Sequence, residues 1–314
     1  MTKAVLHKED RELKDIFSRD AFRGRAMFGE PMRRHTSLKI GGPADIVAFP
    51  SDIPALRHAV NAARESGIPV FPLGGGTNVL VGDAGIRGIV ISLSAFKGMA
   101  IEDKNSGEIT ITADAGLPLQ RLVALSKKKG LSGIEALSGI PGTLGGAVAG
   151  NAGAYGTEIK DVLAELTLLA GEGDVKAVDA KDIAFGYRCG SIPSGSIILA
   201  ASLKLKKDDP MTVAKKIVDF LKMKKETQPL AARSAGCVFK NPPGASAGKL
   251  MEEAGLKGRR LGDVEVSRVH ANFFITRSIR AKADDFLKLM DIAALKVRES
   301  SGLILEPEIR IIGC

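Results

Sequence analysis

From Gly139 to Gly156 the chain reads GIPGTLGGAVAGNAGAYG, with seven glycines in eighteen residues and small side chains filling most of the rest. Such a stretch lets peptide groups approach a partner closely, because Gly142, Gly145 and Gly146 carry no Cβ and reach positive φ at little cost. Backbone N–H groups presented in this way suit a flat ring or a pyrophosphate. A bound cofactor is the natural occupant. A second loop supports that reading. The apolar run Val70–Leu73 leads into Gly74, Gly75, Gly76, Thr77 and Asn78, and Val79, Leu80 and Val81 follow at once, which predicts strand, glycine loop, strand. A Rossmann fingerprint opens a helix after its glycines, and a Walker loop places Lys before Ser or Thr; neither follows Gly76, so both are excluded. One glycine triplet is explained by a tight turn. Two long glycine loops in one chain favour the cofactor.

A chain of 314 residues buries a large core and is expected to divide into two or three units. No apolar run approaches the ~20 residues of a membrane span, and the first thirty residues alternate charged and single apolar positions, so no secretory signal is expected. Cys189, Cys237 and Cys314 are too few and too widely spaced for a disulfide framework or a zinc site. His7, His35, His58 and His270 are scattered, so no metal is implied. The expected compartment is a reducing cytoplasm. The net charge of +9 raises the question of nucleic acid. Much of the excess, however, lies at Lys215, Lys216, Lys222, Lys224 and Lys225, where a helix exposes it to solvent. With no Trp and only Tyr155 and Tyr187, the chain also lacks the stacking platforms of single-strand binders. A phosphate-bearing small molecule uses the same positive field.

Ser51 and Asp52 can cap a helix with Ile53, Leu56, Val60 and Ala63 on its apolar side, ended by Gly67 and Pro69. Leu119 to Lys129 repeats apolar residues at helical spacing. Around Lys206 to Pro210 the charge rises and apolar periodicity stops, and Asp209 and Pro210 suit the N-cap and first turn of a new helix. We place a domain boundary there. A helix from about 282 to 299 carries Phe286, Met290, Ala293 and Val297 on one face and stops at Gly302. A final strand, 304–312, follows.

Four segments place polar groups where the pattern does not demand them. In Phe185-Gly186-Tyr187-Arg188 the arginine offers a rigid fork of donors suited to a carboxylate or enolate; pairing with a surface acid explains it too. In Arg233 to Pro242, Cys237 follows Ala-Gly and is sterically open. A thiol with an ordinary pKa of about 8.5 is mostly protonated at neutral pH and can donate a proton, although a free Cys is more often a packed one. In Leu305 to Arg310, an extended strand puts Glu306 and Glu308 on one face, as does simple alternation. The fourth comprises Ala247 to Leu256, with Lys249, and Val269 to Phe273, with His270 and Asn272.

Together these segments resemble one family, the UDP-N-acetylenolpyruvoylglucosamine reductases, flavin enzymes that complete UDP-N-acetylmuramate in bacterial cell-wall synthesis. The resemblance runs from about residue 33 to 312. It includes His35-Thr36-Ser37, Ile40 to Asp45, both glycine loops, Phe185 to Arg188, Ser234 to Pro242, Ala247 to Gly255, His270 to Phe273 and Leu305 to Gly313. It implies an α+β protein: a two-subdomain FAD-binding fold of the vanillyl-alcohol-oxidase (PCMH) type plus a C-terminal α+β substrate-binding domain. The expected divisions are a charged extension at 1–30, an FAD-binding domain at 31–207 (subdomains 31–100 and 101–207), a substrate-binding domain at 208–302, and a strand at 303–314 carrying the catalytic glutamate. The resemblance gives noncovalent FAD to Gly74, Gly75, Gly76, Thr77, Asn78, Ala115, Gly139, Gly142, Thr143, Gly145, Gly146 and Ala152. It further implies that NADPH reduces the flavin, that hydride passes from flavin N5 to the enolpyruvyl ether, that Arg188 and Glu308 stabilise the resulting charge, and that Cys237, where the family usually has Ser, supplies the proton. Tyr187, Lys240, Asn241, Lys249 and Asn272 match substrate-binding positions. The chain departs from the family at Gly190, where Ser is common, and its length fits the shorter type, without the extra tyrosine-bearing loop. A monomer acting on a small-molecule UDP-sugar, with no nucleic acid or membrane partner, is expected. Two other readings stay open: another flavin oxidoreductase on the same scaffold, against which the anion clamp argues, and a basic nucleotide- or nucleic-acid-binding module without turnover.

Overall fold

A computed structural model describes residues 16–17, 22–103, 107–171 and 173–313. Residues 1–15 and 18–21 of the expected charged extension, and Cys314, lie outside them. Residues 24–31 belong to the fold proper: the strand Gly24–Pro31 pairs antiparallel with Pro43–Pro50 along its whole length.

The first sheet runs in the order Gly24–Pro31, Pro43–Pro50, Ile86–Ser92, Val70–Leu73, and its last two pairings are parallel. Parallel neighbours need a crossover. The helix Ile53–Glu65 provides it, its N-terminus capped by the Asp52 carboxylate, which accepts from the Ala55 amide at 2.9 Å. Along Ile86–Ser92 the apolar residues do not alternate with polar ones, because both faces are covered. Ile89 and Ile91 join the large first core, while Val90 joins a smaller cluster with Met32, Val47 and Val81. The predicted strand, glycine loop and strand are present: Val70–Leu73, a bend, then Val79–Val81.

A second, antiparallel sheet follows in the order Val175–Asp179, Leu163–Leu169, Ile197–Lys207, Glu108–Asp114, Met99–Asp103. The helix Pro210–Thr227 packs beside Leu119–Lys129, and its Val213 and Ile217 enter the first core. The expected boundary at 208 falls at the start of this helix, whose apolar face joins the first core. Asp209 does cap it, accepting from the Thr212 amide at 2.8 Å, and Pro210 opens it. Those signals mark where a helix starts; they are silent on which core its apolar face joins.

The third sheet, Ser234–Cys237, Phe273–Thr276, Val264–Val266, Arg260–Leu261, is antiparallel. Its core is shared with the helices Ala247–Glu253 and Ala283–Ser301, and Leu38, Ile40 and Leu80 from the first part of the chain are inserted into it. The chain then returns. Only Arg310–Ile312 of the expected 304–312 strand forms a ladder, parallel to Val79–Val81.

Candidate active site

The two glycine loops meet each other. A Cβ on Gly75 would lie 2.8 Å from the Gly142 Cα, so this contact requires glycine whatever else is bound. Gly146 differs: a Cβ there would meet only Thr143 Oγ1, at 3.6 Å, yet the residue lines the cavity. That cavity measures about 960 Å³, the upper end of the ~300–1,000 Å³ usual for ligand sites. All twelve residues expected to hold the cofactor line it, as do Arg188, Cys237 and Glu308. A shaped, glycine-walled trough of this size fits a flavin dinucleotide. We expect Gly146→Val to leave the melting temperature of FAD-free protein unchanged while weakening FAD at least about tenfold, roughly 1.4 kcal/mol. Flavin fluorescence titration checks this, and unfolding of the variant would show that the space is needed by the protein instead.

Arg188 is the second residue of a two-residue turn between Phe185–Gly186 and Cys189–Gly190, at φ +57°. A long side chain seldom takes this conformation without being held. Three contacts hold it. Nη1 donates to Gly153 O at 2.9 Å, Nε lies 2.9 Å from Glu308 Oε1, and the guanidinium sits 5.3 Å from the Tyr187 ring centroid. The turn itself is tied to the glycine loop by buried Asn151, whose Nδ2 donates to Gly186 O at 3.0 Å and to Glu158. The Nε–Glu308 separation is short but the N–H is not directed along it. The pair is therefore a charge contact, and the buried Nε–H has no hydrogen-bond acceptor among the described residues. An incoming anion can supply one.

Glu308 reaches this point because residues 306–308 lie alongside 238–240: Lys240 donates its amide to Glu306 O at 2.8 Å, and Glu308 donates its amide to Val238 O at 2.8 Å. The same pairing sets Glu308 beside Cys237. Burial pushes the Glu308 carboxyl above its ordinary range, opposed by Arg188 and then Lys240. Burial, reinforced by the Glu308 carboxylate, pushes the Cys237 thiol up to about 12, with Arg188 opposing. Glu306 does not share the site. It stands exposed, 3.4 Å from Lys240 Nζ, and lines neither cavity.

Of the expected substrate residues, Tyr187 and Asn241 line a second cavity of about 410 Å³, which shares Gly153, Ala154, Tyr155 and Arg188 with the first. Lys240, Lys249 and Asn272 line neither. Lys249 is a surface residue of its helix, 3.8 Å from Glu253. Asn272 is buried and spent on the backbone, its side chain accepting from Phe239 N at 2.9 Å and donating to Phe239 O at 2.7 Å. It braces the strand that carries Cys237.

Lys224 corrects the other way. Expected on a solvated face, it is buried, donates to the carbonyls of Ala136 and Ser138, stands 5.7 Å from the Tyr155 ring centroid and lines the large cavity. Burial, with Arg188 adding to it, lowers its pKa to about 8. The signal was available: Lys224 continues the stripe set by Val213 and Ile217 at helical spacing.

Residues 44–179 match the profile of an FAD binding domain, and residues 228–312 that of the UDP-N-acetylenolpyruvoylglucosamine reductase C-terminal domain. UDP-N-acetylenolpyruvoylglucosamine reductase of Geotalea uraniireducens is 42% identical over 93% of this chain and 96% of its own length; that of Rubrobacter xylanophilus is 43% identical over 92% and 95%. The crystal structure of the Thermus caldophilus reductase superposes with a TM-score of 0.77 at 33% identity, covering 92% of this chain and 99% of that one. The two-part glycine cradle, the Arg188 turn and these likenesses agree: the chain belongs to the UDP-N-acetylenolpyruvoylglucosamine reductase family.

Proposed function

We propose that the protein reduces the enolpyruvyl ether of UDP-N-acetylglucosamine enolpyruvate to UDP-N-acetylmuramate, the FAD-dependent, NADPH-driven step of peptidoglycan synthesis. The observation that carries this is the convergence of Arg188, Cys237 and Glu308, from three separated segments, on the wall of one glycine-lined cavity. When bound there by the two glycine loops, FAD supplies the hydride. The protein's own side chains do the rest. Arg188 presents a fixed cation beside Glu308 and is assigned to a carboxylate or enolate oxygen of the substrate. Glu308, whose carboxyl pKa is raised by burial and lowered by Arg188, stands beside Arg188 and is assigned to orienting that cation and the bound anion. Cys237 remains protonated at every physiological pH and is positioned to protonate the adjacent carbon. Tyr187 and Asn241, in the adjoining cavity, are assigned to the nucleotide-sugar. Buried Lys224 gives the site a second cation.

An anaerobic stopped-flow experiment tests this reading. Flavin absorbance is expected to fall with NADPH and to return when UDP-N-acetylglucosamine enolpyruvate is added; bleaching without recovery would reject the substrate, and absence of flavin after FAD addition would reject the whole reading. We further take the protein to act as a monomer in the bacterial cytoplasm, which elution at the mass of one 33.0 kDa chain would support. Among the described residues no helix is long and apolar enough to cross a membrane.

The pH dependence follows from Lys224. A base with a pKa lowered to about 8 is charged below that pH and neutral above it. Because kcat/KM reports the free enzyme, its value for the UDP-sugar is expected to fall as pH rises through about 8, and Lys224→Met should remove that limb.

A further inference from the structure

The glycine loop that would hold FAD and the strand that carries the Cys237 thiol belong to different units, and one residue touches both. The Ser37 amide donates to Gly76 O at 3.0 Å, within the first glycine loop. Its hydroxyl lies 2.6 Å from Ser234 O, at the start of the strand Ser234–Cys237, and 3.3 Å from Gly76 O. A hydroxyl has one proton, and the shorter contact takes it. The neighbours of Ser37 fix it from each side. Gly76 is pressed so closely on the segment before Ser37 that a Cβ there would stand 2.0 Å from His35 O. Leu38 and Ile40 are buried in the core of the substrate unit, and Thr276 Oγ1 donates to Leu38 O at 2.8 Å.

Building on the function proposed above, we propose that Ser37 is a positioning residue that sets the distance between the FAD-holding loop and the Cys237 thiol. Its amide fixes the loop; its hydroxyl fixes the strand three residues before the thiol. The two roles separate chemically, because Ser37→Ala keeps the amide and deletes only the tie to Ser234. Delivery of hydride and proton to adjacent carbons of one substrate is sensitive to such spacing, where a displacement of about 1 Å costs as much as about 100-fold.

The test is a pair of half-reactions measured on FAD-loaded Ser37→Ala. Flavin reduction by NADPH is expected at the wild-type rate, whereas reoxidation by the enolpyruvyl substrate slows about tenfold. In protein stripped of FAD, hydrogen exchange at residues 234–237 is expected to speed up while residues 74–78 remain unchanged. Asp83→Ala serves as control. The Asp83 carboxylate accepts from the Ala283 and Asp284 amides at 3.0 and 3.1 Å and also joins the units, but through the helix Ala283–Ser301 and not through the thiol-bearing strand; its loss should lower the melting temperature without changing reoxidation. Equal reoxidation rates in Ser37→Ala and wild type overturn the proposal, as does parallel slowing of both half-reactions. If wild type itself is not reoxidised by the substrate, the functional reading has failed instead.

Discussion

Arg188→Ala is expected to lower kcat by about 10²–10³-fold while leaving NADPH-driven bleaching of the flavin intact. The cation is held at a turn whose backbone is adverse for it, with Nη1 spent on Gly153 O and Nε in a charge contact with Glu308 that is not an aligned hydrogen bond. A donor kept waiting in this way contributes only once an anion arrives, which is the condition for an effect on turnover. Arg188→Lys should recover little, since an ammonium on a flexible stem cannot span Gly153 O and the Glu308 carboxylate together. Retention of wild-type kcat within about tenfold, a difference of 1.4 kcal/mol in barrier, would remove Arg188 from this role.

Cys237→Ala is expected to cost about 10²–10⁴-fold in substrate turnover, the range for a lost general acid, again with normal flavin reduction. Cys237→Ser should retain most activity, because a hydroxyl is also a donor of fixed protonation. The thiol makes a further demand. An acid pushed up to about 12 is protonated throughout the working range, so no falling limb near the ordinary thiol value should appear, and Cys237 should resist iodoacetamide more than exposed Cys189 does. Full turnover in Cys237→Ala would end its candidacy.

Much of this site was readable from local pattern. Glycine clusters, the Asp52 and Asp209 caps, and the Tyr187-Arg188 and Glu306-Pro307-Glu308 segments announce themselves within a few residues. What local pattern misses is which partner a side chain finds. Asn272 matches a substrate position, but hydrogen bonds to the backbone of Phe239, just beyond the strand Ser234–Cys237, consume its amide. Lys249 matched as well, but its helix turns that face to water. Lys224 was assigned to solvent because lysine usually is; the carbonyls of Ala136 and Ser138, from a segment some ninety residues earlier, offer it acceptors inside. In the sequence Ser37 is only part of a short motif, because the carbonyls of Gly76 and Ser234 come near it only after folding.

The ladder between Arg310–Ile312 and Val79–Val81 bears on how the protein is made. Asn78 Nδ2 donates to Glu308 O across 230 residues of sequence, so the ribosome finishes the cofactor cradle long before it delivers the carboxylate that completes the active centre. During that interval Val79–Val81 is an open edge, the kind of surface that invites wrong pairing. A chain that stops before residue 308 would therefore lack the Glu308 carboxylate and leave the Val79–Val81 edge unpaired.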